Sequence, residues 1–502
     1  MPKKKENLSP EERLIKAVIP KEEEPYKLPD NWVWTRLENI SEKISKGTTP
    51  RGGENVYVKD GIKFLRVENI TDTYELNFKN IKYVSDEIHN NFLKRSKLEE
   101  NDLLISIAGS LGRTAVVSKE DLPLNTNQAI AFVRFLIKNK LISKYFSYFF
   151  NAPIIKYLLL EQAKTTAIPN LTLEILNKSK IAFPPFNEQK RIVEKLDSLF
   201  EKTGKIKEII EEVKEKTSLR REAVLSKAFT GELTEKWRAE NKTENAKELL
   251  LKINEEKLRN NPKVKIKDIS EMLVNEDEIP YKVPDNWIWT VMNSLIDVRD
   301  GTHDSPNFYS EGYPLVTSKN LKDNKINFED VKFISKEDME KINQRSRVEK
   351  GDILYAMIGT IGNPVYCEVD SLGKFAVKNV AIFKSFDKKI SKFLKYYLES
   401  ENYKKLIENK VKGTTQKFVP LNILRNTYFL LPPLEEQKEI VRILDKFFEE
   451  ENKISELISL EEKVEILEKT ILDKAFRGEL GTGNSDDEPA IELLKRALEE
   501  NK

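Results

Sequence analysis

A repeat that spans nearly the whole chain limits the possible folds more than any other feature of this sequence. The stretch PYKLPDNWVWT at 25–35 returns as PYKVPDNWIWT at 280–290, and nine of the eleven positions are identical. Farther along, NDLLISIAGSLGR at 101–113 aligns with GDILYAMIGTIGN at 351–363, which keeps an aspartate and a Gly-x-x-Gly segment. Self-similarity over so long a period predicts two copies of one structural unit in tandem.

Shorter matches extend the repeat to the end of the chain. The turn sequence NQAI at 127–130 aligns with NVAI at 379–382. The tail AIELLKRALEE at 490–500 echoes AKELLLKINEE at 246–256, which follows the first repeat. A tail that restates the connector between the repeats suggests a circular arrangement, with a pseudo-twofold axis between the halves and with termini that lie near each other.

The composition excludes several kinds of site. The 502 residues are too many for one hydrophobic core and suggest about three domain-equivalents. The single cysteine, Cys367, excludes an internal disulfide, and two histidines, His89 and His303, argue against a zinc cluster. The basic N-terminus lacks the apolar segment of a signal peptide, and no apolar stretch is long enough to span a membrane. We therefore expect a metal-free, cytoplasmic protein.

The charge distribution says more than the net charge of +2. Residues 25–186 carry a net charge of +6 and residues 280–434 a net charge of +5, so the rest of the chain is acidic. Two basic globular blocks joined by acidic segments indicate two surfaces that could meet a polyanion.

Each repeat begins with a strand pattern and ends with a helix pattern. Runs such as LLISIAG at 103–109 are β-branched or apolar and are bounded by Gly, Pro and Asn, as strands are. After Pro184-Pro185, apolar residues recur in a 3,4 alternation over 187–229, and the second repeat does the same from Glu435 onward. This spacing predicts coiled-coil helices, the first about 60 Å long. Two such helices would bury their apolar stripes against each other, antiparallel if the halves obey a twofold axis.

These patterns predict an α+β fold: two α/β globular domains joined by two long antiparallel coiled-coil helices in a pseudo-twofold tandem repeat. The expected divisions are an N-terminal connector at 1–24, a first globular domain at 25–186, a central helical region at 187–237, a connector at 238–279, a second globular domain at 280–434, a distal helical region at 435–480, and a C-terminal connector helix at 481–502.

Three motifs that occur in both repeats connect the chain to a known family. The helices open with Pro184-Pro185 and Glu188-Gln189 in the first repeat and with Pro432-Pro433 and Glu436-Gln437 in the second. They close with KAFTGEL and KAFRGEL, and each globular block is entered through PDNW-WT. Together, over essentially the whole chain, this pattern resembles the specificity (S) subunit of type I restriction-modification enzymes.

The resemblance implies a DNA-recognition protein without catalysis of its own. Each globular block would be a target recognition domain that reads one half of a bipartite site in double-stranded DNA. The helices would set the spacer and dock two methyltransferase (M) subunits, and restriction (R) subunits would join the complex. Endonuclease and adenine methyltransferase activities would reside in those partners, together with the S-adenosylmethionine, ATP and Mg they require. Partner docking is expected from the motif residues Trp32, Trp34, Glu188, Gln189, Trp287, Trp289, Glu436 and Gln437.

Three alternatives remain at this point. The nuclease could be fused to the methyltransferase, as in related systems with similar specificity chains. A standalone DNA methyltransferase is disfavoured because Phe183 and Leu431 stand where the methyltransferase motif before Pro-Pro needs Asp, Asn or Ser, and no Walker or FxGxG loop is present. A coiled-coil scaffold without a nucleic-acid role is the third.

Base edges in the major groove are read best by Arg, Lys, Asn and Gln on loops. Loop candidates for DNA contact in the first block are Thr48, Arg51, Arg66, Asn69, Arg113, Asn127 and Gln128. Those in the second block are Thr302, His303, Lys319, Asn320, Gln344, Arg345, Arg347, Asn363, Lys378 and Gln416. We expect about a third of the whole set to touch DNA, the others being solvated or capping residues.

Overall fold

The computed structural model describes residues 9–163, 171–260, 268–322, 324–408, 410–411 and 417–500. The chain divides into two compact units. The first consists of Met1–Ile210 and Ser459–Lys502, and the second consists of Glu211–Ile458. Each unit therefore combines the globular domain of one repeat with helical segments that come from both repeats.

The helices follow the repeat closely. In chain order they are α1 Pro10–Ala17, α2 Asp86–Asn90, α3 Lys140–Asn151, α4 Pro153–Ala163, α5 Leu173–Lys178, α6 Phe186–Thr230, α7 Glu235–Glu240, α8 Ala246–Asn260, α9 Ile269–Met272, α10 Met292–Leu295, α11 Lys336–Ser346, α12 Ser391–Glu399, α13 Glu401–Glu408, α14 Leu421–Arg425, α15 Leu434–Ile458, α16 Leu460–Phe476 and α17 Ala490–Glu500. Within the described ranges none of them is long and apolar enough to span a membrane.

The strands are short and belong to the two globular domains. Those of the first domain are β1 Val33–Arg36, β2 Ser41–Lys46, β3 Ile62–Leu65, β4 Lys82–Val84, β5 Leu103–Ser106, β6 Thr114–Val116, β7 Leu124–Thr126, β8 Ile130–Phe135 and β9 Lys180–Phe183. Those of the second domain are β10 Ile288–Val291, β11 Ile296–Asp300, β12 Tyr313–Val316, β13 Leu321–Lys322, β14 Lys325–Ile326, β15 Lys332–Ile334, β16 Ile353–Ala356, β17 Gly362–Tyr366, β18 Ala376–Val377, β19 Val380–Ser385 and β20 Tyr428–Leu431.

The two domains have the same sheet topology. The first has an antiparallel pair β1-β9, a four-stranded antiparallel sheet in the order β2-β8-β5-β6, and a three-stranded sheet β4-β3-β7 in which β3 and β7 are parallel. The second repeats these as β10-β20, β11-β19-β16-β17 and β15-β12-β18. The added hairpin β13-β14 corresponds to a single bridge between Ile70 and Leu76 in the first domain. The predicted α+β tandem repeat is thus confirmed in the fold.

The strand register corrects one alignment made from the sequence. Lys46 pairs with Ala131, and the equivalent Asp300 pairs with Ala381. Ile130 therefore corresponds to Val380, so NQAI and NVAI are displaced by two residues in the sequence alignment. A two-residue shift keeps every side chain on the same face of a strand, so the apolar pattern alone could not reveal it.

Aromatic side chains join each globular domain to a helix end of the other repeat. Phe476, at the end of α16, packs against Tyr145 and Phe149 of α3 with ring centroids 5.4 and 5.3 Å apart. Phe229, near the end of α6, packs in the same way against Phe393 and Tyr397 of α12 in the second unit. These are the phenylalanines of KAFRGEL and KAFTGEL, which explains why both motifs keep an aromatic residue.

Within each unit the long helical segments run antiparallel, as predicted. In the first unit Arg191 of α6 donates to the carbonyl of Thr482 at 2.7 Å, and Lys207 pairs with Glu468 of α16 at 2.6 Å. In the second unit Arg220 of α6 pairs with Glu451 of α15 at 3.1 Å, and Arg238, beyond the end of α6, pairs with Glu436 near the start of α15 at 2.6 Å. The distal helix differs from the expectation in being divided at Ser459 into α15 and α16.

The tail helix occupies the place in the first unit that the connector helix occupies in the second. Ala490, Leu493 and Leu494 of α17 are buried in the core that contains Trp32. Ala246, Leu249 and Leu250 of α8 are buried in the core that contains Trp287. In addition, α17 packs against the N-terminal helix α1. The echo between 246–256 and 490–500 therefore reflects equivalent packing roles.

Candidate nucleic-acid interface

One end of the four-stranded sheet in the first unit collects loops that carry most of the DNA contacts expected there. β2 ends at Lys46 and β5 ends at Ser106, and both residues pair near the start of β8. The segment after β3 lies at the same end of the sheet, because the Asn127 amide, just before β8, donates to the Leu65 carbonyl at the end of β3 at 3.1 Å. We call this surface the first loop end, comprising residues 47–60, 66–69, 107–113 and 127–129.

The second unit builds the same surface from β11, β12, β16 and β18. Asp300 ends β11 opposite Ala381, and Ala356 ends β16 opposite Val380. The end of α11 also reaches this place, since Arg345 Nη2 lies 2.7 Å from Asp300 Oδ1. We call this surface the second loop end, comprising residues 301–312, 317–320, 344–345, 357–363 and 378–379.

The repeated Gly-Thr pair fastens each loop to the turn beside it. The Thr48 amide donates to the Thr126 carbonyl at 3.1 Å, and the Thr302 amide donates to the Val377 carbonyl at 3.0 Å. A Cβ on Gly47 would lie 2.1 Å from the carbonyl oxygen of Thr126, and one on Gly301 would lie 2.3 Å from that of Val377. Only glycine fits so close to a neighbouring backbone. The pair therefore sets the loop geometry in both domains.

Two predicted DNA contacts are used inside the protein. Asn69 Oδ1 accepts from the Arg66 amide at 2.9 Å, while its Nδ2 donates to the Asn77 carbonyl at 3.0 Å. Asn320 makes the equivalent bonds with the Thr317 amide and the Asn327 carbonyl at 2.9 and 3.2 Å. Both asparagines are buried. The structure thus places them beneath the surface, where they shape a turn and do not present an edge to DNA.

Besides Arg345, three predicted arginines are tied to carboxylates of their own domain. Arg66 pairs with Glu68, and Arg113 contacts both carboxylate oxygens of Asp72 at 2.7 and 2.8 Å. Arg347 contacts both oxygens of Asp370 at 3.1 and 2.6 Å. Contact with a phosphate or a base would require each guanidinium to share or exchange these bonds.

The second loop end contains a compact charged group. His303 Nε2 lies 2.7 Å from Asp300 Oδ2, and its Nδ1 lies 2.8 Å from Asn379 Oδ1. These bonds raise the pKa of His303 above its usual value, with the Asn379 contact contributing most. Lys378 Nζ bonds to Ser305 Oγ at 2.5 Å. Thr302, His303, Arg345 and Lys378 are thereby brought together, although they are up to 76 residues apart in sequence.

The remaining candidates differ in exposure. Arg51, Gln128, Lys319 and Gln344 are exposed. Asn127 Oδ1 accepts from the Ala129 amide at 3.1 Å and so shapes its turn. Asn363 is exposed, has a φ of 47° and donates to the Leu321 carbonyl at 3.3 Å. Gln416 lies outside the described residues.

Sequence reasoning missed three cations near the first loop end. Lys46 is exposed at the end of β2, in the position of Asp300. Lys94 and Arg95 are exposed and correspond to Gln344 and Arg345, because Ser85 and Ser335 cap the preceding helices at equivalent positions. The signal was available, since KRS at 94–96 aligns with QRS at 344–346.

The motif residues expected to dock partners make hydrogen bonds within this chain. Trp32 Nε1 donates to Glu188 Oε2 at 2.9 Å, and Thr482 Oγ1 lies 3.3 Å from Glu188 Oε1. In the second unit Trp287 donates to Glu436 at 2.8 Å, and Thr234 donates to Glu436 at the same distance. The first tryptophan of each PDNW-WT motif is thus bonded to the glutamate that opens the long helix of the same repeat. A threonine that follows the GEL motif of the other repeat lies next to that glutamate.

The other motif residues complete this arrangement. Trp34 and Trp289 donate to the carbonyls of Tyr26 and Tyr281 at 3.0 and 3.2 Å. Gln189 and Gln437 donate to the carbonyls of Pro184 and Pro432 at 2.9 and 2.8 Å. All eight side chains expected to dock partners are at most 5% exposed. Their direct role in this chain is to hold its domain entrances against its helices.

Two glycines explain why the PDNW motif and the GEL motif both occur twice. Gly478 of KAFRGEL has a φ of 76°, and a Cβ there would lie 2.2 Å from Pro29 Cγ. Gly231 of KAFTGEL has a φ of 84°, and a Cβ there would lie 2.5 Å from Pro284 Cγ. Each PDNW proline therefore rests on the GEL glycine of the other repeat.

Two observations on the described residues bear on a metal site and on the methyltransferase alternative. No group of three or more His, Cys, Asp or Glu side chains in these ranges could hold a metal ion. Phe183 and Leu431, which precede the two Pro-Pro pairs, are buried in β9 and β20. Neither can offer the polar oxygen that an amino-methyltransferase loop needs.

Comparison with known proteins places these features in a family. The sequence matches the family described as "Type I restriction modification DNA specificity domain" over residues 29–215 and 295–462. The specificity subunit of the type I restriction enzyme EcoBI from Escherichia coli is 25% identical over 458 residues, which cover 90% of this chain and 86% of that protein. The EcoKI specificity subunit from Escherichia coli (strain K12) is 26% identical over 474 residues, 90% of each chain.

A further relative and a solved structure are also similar to this chain. The MjaVIII specificity subunit from Methanocaldococcus jannaschii is 25% identical over 477 residues, which cover 92% of this chain and 96% of that protein. A solved structure described as the "structural basis underlying complex assembly and conformational transition of the type I R-M system" has a similar fold, with a TM-score of 0.62, 19% identity, and coverage of 91% of this chain and 100% of that one. The chain therefore belongs to the family of type I restriction-modification DNA specificity proteins, and it is a specificity subunit without catalytic activity of its own.

Proposed function

We propose that the two globular domains, 25–186 and 280–434, each read one half of a bipartite target in double-stranded DNA through their loop ends. One observation carries this proposal: the two loop ends share a backbone frame but differ in their side chains. Gly47-Thr48 and Gly301-Thr302 fasten equivalent loops, yet Lys46 and Asp300 precede them. A common frame with different polar groups suits two readers of different half-sites.

The positive charge of the two domains supports the same proposal. Exposed cations such as Lys46, Arg51 and Arg95 lie at or beside the first loop end, and Lys319 lies at the second. Cations there would neutralise phosphates and orient each domain on the duplex, while amides and guanidinium groups read base edges.

We further propose that the helices set the unread spacer and dock two methyltransferase subunits, with restriction subunits joining the complex in the cytoplasm. The repeated Trp-Glu-Thr groups around Glu188 and Glu436 support two like docking surfaces, because each fixes the entrance of its domain in the same way. The buried motif residues would act by shaping that surface. Apolar side chains on α6 and α16, including Ile206, Ile209 and Ile466, are exposed and could be covered by a partner. S-adenosylmethionine, ATP and Mg would bind to the partners.

The test is a map of methylated DNA made with the chain and its methyltransferase subunits. The wild-type complex is expected to methylate one two-part sequence with a fixed spacer. Gly47→Ala is expected to disturb recognition of one half, and Gly301→Ala is expected to disturb the other, because each substitution forces a Cβ into the turn beside its loop. Substitutions that weaken both halves equally, or a complex that protects no two-part site, would contradict the proposal.

A further inference from the structure

A buried carboxylate at the second loop end holds two cationic side chains together. Asp300 is only 4% exposed, whereas Arg345 and His303 are exposed. Arg345 Nη2 and His303 Nε2 each lie 2.7 Å from a different oxygen of Asp300. Asp300 is itself fixed, because its carbonyl accepts from Ser346 Oγ at 2.8 Å. The carboxylate thus sets where both side chains lie on the surface.

The geometry favours the protonated form of His303. Both ring nitrogens face oxygen acceptors, Asp300 Oδ2 on one side and Asn379 Oδ1 on the other. A neutral imidazole can donate through only one nitrogen, whereas an imidazolium donates through both. The charged groups that face His303 are Asp300 of β11, which favours its positive charge, and Arg345 of α11, which opposes it. Two other cations lie nearby and have their own partners. Lys378, in the adjacent turn, is bonded to Ser305, and Arg299, in β11, pairs with Asp297.

The first domain lacks this arrangement. Lys46 stands where Asp300 stands, Thr49 stands where His303 stands, and Arg95 corresponds to Arg345. These three positions therefore carry two permanent positive charges in the first domain. In the second domain the same three positions carry one net positive charge when His303 is protonated and no net charge when it is neutral.

We propose that Asp300 is a positioning residue of the second recognition domain, which presents Arg345 and a protonated His303 to the backbone of the second half-site and makes binding of that half-site depend on pH. The inference rests on the proposed function, since it assumes that the second loop end faces DNA. A phosphate near the imidazolium would favour the protonated form further, so binding would take up a proton. The affinity for DNA would then fall as the pH rises through the pKa of His303.

The test compares variants in the full chain, bound to its methyltransferase subunits, on a duplex that contains the target. His303→Gln removes the titrating group at an exposed position. Asp300→Asn keeps the shape but removes the charge that attracts both cations. Thr49→Gln introduces the same residue, glutamine, at the equivalent position of the first loop end and serves as the matched control. Affinity is measured by fluorescence anisotropy at about pH 6 and about pH 8.5, on either side of the usual histidine pKa, and over a range of salt concentrations.

The affinity of the wild-type complex for DNA is expected to fall between the lower and the higher pH. This fall should be about three to ten times as large as the fall measured for His303→Gln. The salt dependence of binding by the wild-type complex should fall by up to about one unit of slope over the same change in pH, whereas the slope in His303→Gln should stay constant. Asp300→Asn should lose the extra pH dependence as well, and Thr49→Gln should keep it.

A direct titration separates the group from its effect on DNA. The chain has two histidines, so nuclear magnetic resonance of the free chain can follow His303 alone once His303→Gln has assigned its signal. Its pKa is expected to fall in Asp300→Asn. Equal pH dependence in wild type and His303→Gln, with specific binding intact, overturns the inference and leaves the proposed function standing. Loss of specific binding by the wild-type complex at both pH values overturns both.

Discussion

At the scale of single residues, the most consequential groups are two buried glutamates that open the long helices. Glu436 accepts from Trp287 and Thr234, and it also pairs with Arg238 at 2.6 Å. Glu188 accepts from Trp32, whereas the nearby Arg191 bonds to Asp487. A buried charge is tolerated only where its hydrogen bonds are complete, so these contacts fix the surrounding residues tightly.

Replacement of Glu436 should therefore destabilise the second unit. Glu436→Ala leaves Arg238 and the Trp287 indole N–H without their partner, and we expect a loss of about 3–5 kcal/mol in the free energy of unfolding. Urea denaturation followed by tryptophan fluorescence measures it. The adjacent Glu435 is exposed and pairs with Lys438, so Glu435→Ala should change the free energy by less than about 1 kcal/mol. A similar effect of the two substitutions would mean that the Glu436 contacts contribute little.

At the scale of elements, α6 is a helix of 45 residues that contains one glycine well inside it. Gly204 has helical backbone angles, and a Cβ built there meets no atom within 4 Å. No described atom around Gly204 therefore requires glycine at this position. The residue costs helix stability, because glycine loses more backbone freedom on folding than alanine does.

We expect Gly204→Ala to stabilise the chain by about 0.5–1 kcal/mol. Ser198→Ala, at an exposed site of the same helix, is the control and should give a smaller gain of a few tenths of a kcal/mol, about 0.3–0.5. Thermal unfolding followed by circular dichroism at 222 nm, the usual helix signal, reports both. Destabilisation by Gly204→Ala would contradict this expectation and would mean that α6 needs the backbone freedom of glycine at this position.

At the scale of the whole molecule, each unit is completed by a helix from outside its own repeat or from the connector. Leu494 of α17 is fully buried in the first unit, and Leu250 of α8 is fully buried at the equivalent place in the second. The two units share the covalent chain of α6 but have separate hydrophobic cores. Damage to one core should therefore remain local.

Leu494→Ala is expected to lower the stability of the first unit by about 2–5 kcal/mol, because it removes buried apolar volume and leaves a cavity. Leu250→Ala should do the same to the second unit. Hydrogen exchange followed by mass spectrometry resolves the two, with faster exchange around β1 and α17 for the first variant and around β10 and α8 for the second. Faster exchange throughout the chain in both variants would indicate a single cooperative unit.

Much of the fold could be predicted because its signals are local or repeated. The 3,4 spacing after Pro185 predicted α6 to within a residue at each end, and the doubled motifs predicted two domains of the same kind. The candidate site was harder. Asn69 and Asn320 have the residue type that reads adenine, yet their amides are consumed by a turn. Arg95 was overlooked although KRS at 94–96 aligns with QRS at 344–346, and the helix caps Ser85 and Ser335 show that Arg95 and Arg345 are equivalent.

The sequence by itself determined the tandem repeat, the long helices, the two basic domains and the family, because each of these is written in periodicity, composition or motifs that need no knowledge of distant contacts. Only the tertiary structure decided that Trp32 meets Glu188, that Pro29 rests on Gly478, and that Asp300 joins His303 to Arg345. Such contacts join residues from different elements. Their partners are chosen by the packing of strands and helices in space, and no local pattern in the chain records that choice.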